Sequence, residues 1–142
     1  MRIWHKEMIQ VLPDKQLLGQ WRELCAIASN IKNKGTPNHL LVNKVTQFPE
    51  SHLYTYASIV YDEMCERGFK PHWRSFERHL QDKTQMHFVP FEDLFDTQDL
   101  HWHTPRYFWQ CYYNLEEKVD CGGIKPMEWL AVYNCAMNYL QG

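Results

Sequence analysis

Apolar residues recur in the first third of the chain at Leu17, Trp21, Leu24, Ala28 and Ile31, separated by four, three, four and three positions. That spacing draws one stripe down an α-helix, and Pro13-Asp14 ahead of it supplies a start signal. Lys34-Gly35 ends the run, and Thr36-Pro37 reads as the cap and first residue of a further helix. Leu53, Tyr56, Ala57, Val60 and Met64 repeat the pattern and predict a second long helix over 51–67. Arg67-Gly68-Phe69 supplies its glycine stop and a following apolar contact, and Pro71 blocks continuation. Residues 72–100 are less regular, with short helices predicted at 74–80 and 91–95. Thr104-Pro105 opens a third long helix to 119, closed by Cys121-Gly122-Gly123, and Pro126 starts a last helix to about 140. Strand-like alternation is confined to 86–89. With no repeat or low-complexity linker, the pattern predicts an all-α fold, a compact single-domain helical bundle over 1–142.

One position on the first helix breaks its own rules. Gly19 falls opposite the apolar stripe, where glycine costs about 1 kcal/mol against alanine with no packing gain. Glu23 stands one turn further along. A bare helix surface beside Glu23 lets another backbone, or a ligand, come close to the carboxylate. The alternative is a tolerated glycine beside a solvated Arg22-Glu23 pair.

Composition narrows the possibilities. No apolar run approaches the roughly 20 residues needed to span a bilayer, so no membrane partner is expected. Met1-Arg2-Ile3-Trp4-His5-Lys6 lacks the apolar stretch of a signal peptide. Five cysteines at wide spacings, with no C-x-x-C pair, favour free thiols, mostly in the core, and a reducing cytoplasmic setting. Net charge is −2, but residues 1–48 carry seven basic against three acidic side chains, and residues 49–142 carry eight against fourteen. Arg67, Lys70, Arg74, Arg78 and Lys83 form a second basic group. Such asymmetry permits a local anion-binding face without a basic protein.

Other constellations invite chemical readings. His101-Trp102-His103, with His87 upstream, suggests a metal-dependent hydrolase only if a carboxylate or third histidine joins them. Solvated or aromatic-packed histidines are the competing reading, and no metal is expected. Tyr107, Phe108, Trp109, Tyr112 and Tyr113, with Trp129, Tyr133 and Tyr139 later, could stack on bases, but aromatics at three- and four-residue spacing usually face a core. No phosphate-cradling or dinucleotide motif is present, so no cofactor is expected.

The chain resembles the pyrimidine-dimer DNA glycosylases with AP-lyase activity, the phage endonuclease V type of ultraviolet-repair enzyme and its bacterial relatives. Met1-Arg2-Ile3 is similar to the family's mature Thr-Arg-Ile start, with Met1 where the terminal threonine stands. Asp14-x-x-Leu17 followed by Trp21-Arg22-Glu23-Leu24 resembles the catalytic helix. Glu66-Arg67-Gly68-Phe69 resembles the Lys-Arg-Gly-Phe that closes the next long helix, and 115–119 carries a looser likeness. Bacterial relatives open Met-Arg-Leu-Trp-His and continue Leu-Leu-Gly-Gln, matched here at 1–5 and 17–20.

The resemblance implies that the backbone amine of Met1 is the nucleophile and that Glu23 assists, with damaged DNA as the partner. An α-amine is the apt choice, because such groups titrate near 7.7–8.0 and lysine near 10.4. Arg2 is a bulky second residue that methionine aminopeptidase generally spares, which keeps Met1 in place. By analogy Arg2 and Arg22 would hold phosphates and Trp21 would line the site. The N-terminal segment would pack across the first long helix, with Gly19 making room for it. The spacing from Met1 to Glu23 is one residue longer than in the phage enzyme, which a bulge before Asp14 could absorb. Two positions depart from the family pattern: Gln16 replaces a histidine and Ala26 an arginine, both losses of positive charge. They leave the lesion open among a dimer, an abasic site, another damaged base and a single strand. A non-catalytic helical binding module is the alternative. The oligomeric state is not legible.

Overall fold

The computed structural model describes residues 1–142, the side chain at position 85 excepted. Among the described residues the regular structure is helical: α1 (Asp14–Lys34), α2 (Glu50–Glu66), the short α3 (Arg74–Glu77), α4 (Pro105–Asp120) and α5 (Pro126–Gln141), joined by 3-10 turns. None of these helices is long and apolar enough to cross a membrane. α1 packs on α2 and α3, α4 packs on α5, and a 3-10 turn at Lys6–Val11 touches both α2 and α5. One cluster of buried side chains runs from Ile3 to Ala136. It takes in the predicted stripe of α1 at Leu17, Trp21, Leu24 and Ala28, with Ile31 half-buried, and adds residues outside the α-helices such as Ile3, Ile9 and Phe95 that no helical period marks.

The helix ends follow their punctuation. Gly68 adopts φ +87°, and Phe69 N–H donates to the Met64 carbonyl at 2.9 Å, closing α2. Thr104 Oγ1 accepts from Tyr107 N–H at 3.3 Å and starts α4.

Several expectations are corrected. No helix begins at Thr36-Pro37. The Thr36 hydroxyl accepts from Asn38 N–H only two residues on, at 3.1 Å, and Asn38 takes a left-handed φ of 57°. That closes a local turn in place of a helix cap. The 74–80 helix is regular only through Glu77, and 91–95 is a single 3-10 turn at Phe91–Asp93. Residues 86–89 form no strand; Val89 N–H instead donates to Thr55 Oγ1 of α2 at 2.9 Å. Only Cys111 of the five free cysteines is buried, with Cys65 and Cys121 exposed at the ends of α2 and α4. The aromatic run on α4 divides by helical phase: Tyr107, Phe108 and Tyr112 are buried and Tyr113 is exposed. Arg67 does not belong to a free basic face. Its guanidinium donates to the carbonyls of Leu12 (2.7 Å) and Gln10 (3.1 Å) and pairs with Asp14 (3.0 Å) and Glu63 (2.8 Å). It therefore clamps the 3-10 turn onto the start of α1.

Candidate active site

Residues 2–5 cross α1 as irregular backbone with no neighbouring strand and lead into the 3-10 turn that starts at Lys6. Buried peptide groups must still be hydrogen-bonded, and here side chains from three helices and a loop do it. Gln20 of α1, fully buried, donates through Nε2 to the Arg2 carbonyl (2.9 Å) and accepts at Oε1 from Trp4 N–H (2.8 Å). Its amide stands in for the peptide of a missing strand. The Tyr56 hydroxyl of α2 donates to the Trp4 carbonyl (2.6 Å), with Gln20 Oε1 also in reach at 3.0 Å. The Tyr107 hydroxyl of α4 donates to the Ile3 carbonyl (2.6 Å), and Lys6 N–H donates to His103 Nδ1 (3.0 Å).

Burial fixes the protonation state of these anchors. It raises both Tyr56 and Tyr107 well above the usual phenol range, so each remains a donor. It lowers His103 far below the usual histidine range and His5 to about 4. Both rings accept at Nδ1, from Lys6 N–H and Glu7 N–H, which assigns the neutral ring's proton to Nε2. His103 is set in place by Phe95, whose carbonyl accepts from both Trp102 and His103 N–H at 2.9 Å, with Phe95 itself at φ +55°. Lys6 is lowered by burial and donates to the carbonyls of Phe91 (2.7 Å) and Glu92 (3.3 Å), turned away from the terminus.

This clamp delivers the start of the chain to Glu23. Arg2 N–H donates to Glu23 Oε2 at 3.2 Å. The Met1 amine is three bonds from Arg2 N, which places it within about 7 Å of that oxygen. Glu23 is half-buried and Met1 is exposed, so the pair opens to solvent. The Arg2 guanidinium lies 5.6 Å from the Trp4 ring centroid and 5.8 Å from that of Tyr107, with Cys111 Sγ 3.7 Å away.

Of the residues singled out from sequence, Met1, Arg2 and Glu23 come together and Trp21 and Arg22 do not. At 100° per residue, Trp21 lies about 200° around α1 from Glu23. Its ring is buried among Tyr61, Trp73 and Phe76 and does not line the Glu23 site. Arg22 is exposed beside Lys70 and His72 on a neighbouring groove. Gly19 also departs from its expected use, because a Cβ there would meet nothing within 4 Å. The chain's own terminus does not occupy that space, which lies open one turn from Glu23. Ala26 is exposed one turn beyond Glu23, and the side-chain amide oxygen Oε1 of Gln16 is buried with no hydrogen-bond partner. The two histidines of His101-Trp102-His103 part company: His103 stacks on His5 inside, while exposed His101 pairs with Asp96 at 2.6 Å.

Sequence reasoning missed Gln20, Tyr56, Tyr107 and His103 as anchors of the terminus. Gln20 carried a usable signal, being a polar residue set among Leu17, Trp21 and Leu24 on the inward side. The tyrosines carried none, since their spacing already explained them as core.

A family model described as "Pyrimidine dimer DNA glycosylase" matches residues 1–76, a stretch that includes the clamped terminus, α1 and α2. No curated protein and no solved structure was found to match the chain.

Proposed function

The chain belongs to the pyrimidine dimer DNA glycosylase family, and from that footing we propose that it excises a damaged pyrimidine base and then cleaves the strand through its N-terminal amine. The observation that carries the reading is the 3.2 Å hydrogen bond from Arg2 N–H to Glu23 Oε2, which holds the start of the chain against a carboxylate.

The Met1 amine in its free-base form attacks C1′ of the damaged nucleotide. The glycosidic bond breaks, and the base leaves with its electron pair and takes up a proton. Loss of one proton from the attached nitrogen and opening of the sugar ring, with a proton to O4′, give an iminium at C1′. A proton then leaves C2′, and the electrons of that bond expel the 3′ phosphate as a β-elimination. Water finally hydrolyses the iminium and frees the amine. Glu23 stabilises positive charge at C1′ as the base leaves and accepts the C2′ proton. The open surface at Gly19 admits the sugar beside Glu23. Arg2 and exposed Arg22 contact phosphates, while Trp21, packed on Tyr61, Trp73 and Phe76, stays in the core. We assign the whole of 1–142 to one active unit, with damaged DNA as the partner.

Borohydride reduction on abasic-site DNA tests the chemistry, because it traps only an amine that has formed the iminium. The expected adduct maps to residue 1. Glu23→Gln keeps an acceptor for Arg2 N–H and removes the charge, so base excision should fall by about 100-fold or more with the melting temperature preserved. An adduct on Lys15, or undiminished excision in the variant, would overturn the assignment. DNA binding without any trapping would favour a non-catalytic module.

A further inference from the structure

The turn over residues 36–43 is built to hold two leucines in water. Pro37 and Val42 are buried at its two shoulders. Between them the polar groups satisfy one another. Asn43 Oδ1 accepts from His39 N–H (2.9 Å) and the Thr36 hydroxyl (3.3 Å), and the His39 carbonyl accepts from Val42 N–H (3.0 Å) and Asn43 N–H (2.9 Å). The apex that results exposes Leu40 at 93 % and Leu41 at 50 %. A single exposed leucine needs no explanation, but an internally hydrogen-bonded turn that presents two in succession does.

The surroundings say what they meet. Leu40 and Leu41 form one wall of a recess whose other walls include Lys44, Arg106, Trp102 and Tyr107. No carboxylate lines it among the described residues; His101 joins it with Asp96 paired behind. Tyr107 is also the residue whose hydroxyl holds the Ile3 carbonyl and whose ring lies under Arg2. Tyr107 therefore joins the recess beside the leucine apex to the clamped terminus. An apolar point flanked by cations suits a duplex, whose phosphates carry negative charge and whose base steps are apolar. Access to C1′ is eased when the duplex opens at the lesion, and a gap in the stack is filled at low cost by an apolar side chain.

We propose that Leu40 and Leu41 form a wedge that enters the base stack of duplex DNA beside the damaged nucleotide, with Lys44 and Arg106 seated on the flanking phosphates. The proposal rests on the reading of this protein as a DNA-acting enzyme, and it names how a duplex is opened at that same site.

The experiment compares the full chain with its Leu40→Ala/Leu41→Ala variant. The first probe is a duplex carrying a tetrahydrofuran abasic analogue next to 2-aminopurine, whose fluorescence rises when it is unstacked. The second measurement is borohydride trapping on natural abasic sites in duplex and in single-stranded DNA. The wild type should raise the fluorescence. The variant should lose most of that rise, and its ratio of duplex to single-strand trapping should fall by about tenfold, the equivalent of about 1.4 kcal/mol of lost unstacking. Both leucines stand largely in water, so equal melting temperatures should confirm an intact fold. Leu40→Met alone should retain the signal, because an apolar wedge survives that change. An unchanged fluorescence rise and an unchanged ratio would overturn the wedge. So would self-association of the wild type that the variant loses, with unstacking retained, since a second copy would then own the apex. A wild type that traps on neither strand form would fail the Schiff-base reading, and the fluorescence alone would still decide the wedge.

Discussion

Residues 2–5 and residues 36–42 are both irregular backbone running into a 3-10 turn, yet they are held by opposite means. The N-terminal stretch makes almost none of its own bonds; Gln20, Glu23, Tyr56, His103 and Tyr107, drawn from across the fold, hold its peptide groups. The later turn satisfies itself through Thr36, His39 and Asn43 and needs only two buried shoulders. The first arrangement makes a position as precise as the whole core, which suits a reacting amine. The second makes a firm projection that is independent of the core. Damage far away should therefore reach the terminus and spare the apex.

The largest expected effect comes from Arg67→Met. It strips the hydrogen bonds to the Leu12 and Gln10 carbonyls and the ion pairs to Glu63 and Asp14. Denaturant unfolding should show a loss of about 3–4 kcal/mol, and abasic-site trapping should fall with it. A cost below about 1 kcal/mol would show that the terminus is anchored without this clamp.

Acidification should act next. His5 titrates at 6.5 when unfolded and near 4 in the fold, because burial disfavours its charged form. Between those values the unfolded chain binds more protons, so stability should fall as pH drops from 6.5 to about 4. His5 alone contributes up to about 3 kcal/mol of that loss. His103, lowered for the same reason, adds to it in the same direction. His5→Phe should flatten the stability profile over this window. A wild-type profile that is already flat there would contradict a buried neutral histidine.

Gly19→Ala should have the smallest and most discriminating effect. A methyl group there meets nothing within 4 Å, so the protein should gain about 0.5–1 kcal/mol from reduced helix entropy. Strand cleavage should nevertheless slow, because the space next to Glu23 would be narrowed for the sugar. A stabilised variant with unimpaired cleavage would separate that surface from the reaction.

Much of this fold is legible in the sequence. The stripes at Leu17, Trp21, Leu24 and at Leu53, Tyr56, Val60 placed the two long helices, and Gly68 and Thr104-Pro105 placed helix ends, because these signals are local. Thr36-Pro37 misled because a threonine oxygen can close a turn as readily as it caps a helix, and Asn43, seven residues on, tipped the choice. The family resemblance places Trp21 and Arg22 with Glu23, but α1 turns them to other sides.

What the sequence determined by itself was periodic: which residues turn inward, where helices start and stop, and the run around Glu23 that carries the family likeness. Tertiary structure alone decided that Gln20 replaces a strand, that Tyr56, Tyr107 and His103 converge on residues 3–6, and that Leu40 and Leu41 share a recess with Tyr107. Hydrophobic burial follows from local spacing and is written along the chain. Hydrogen-bond partners fifty or a hundred residues apart are chosen only when packing brings them together, and no window of sequence contains that choice.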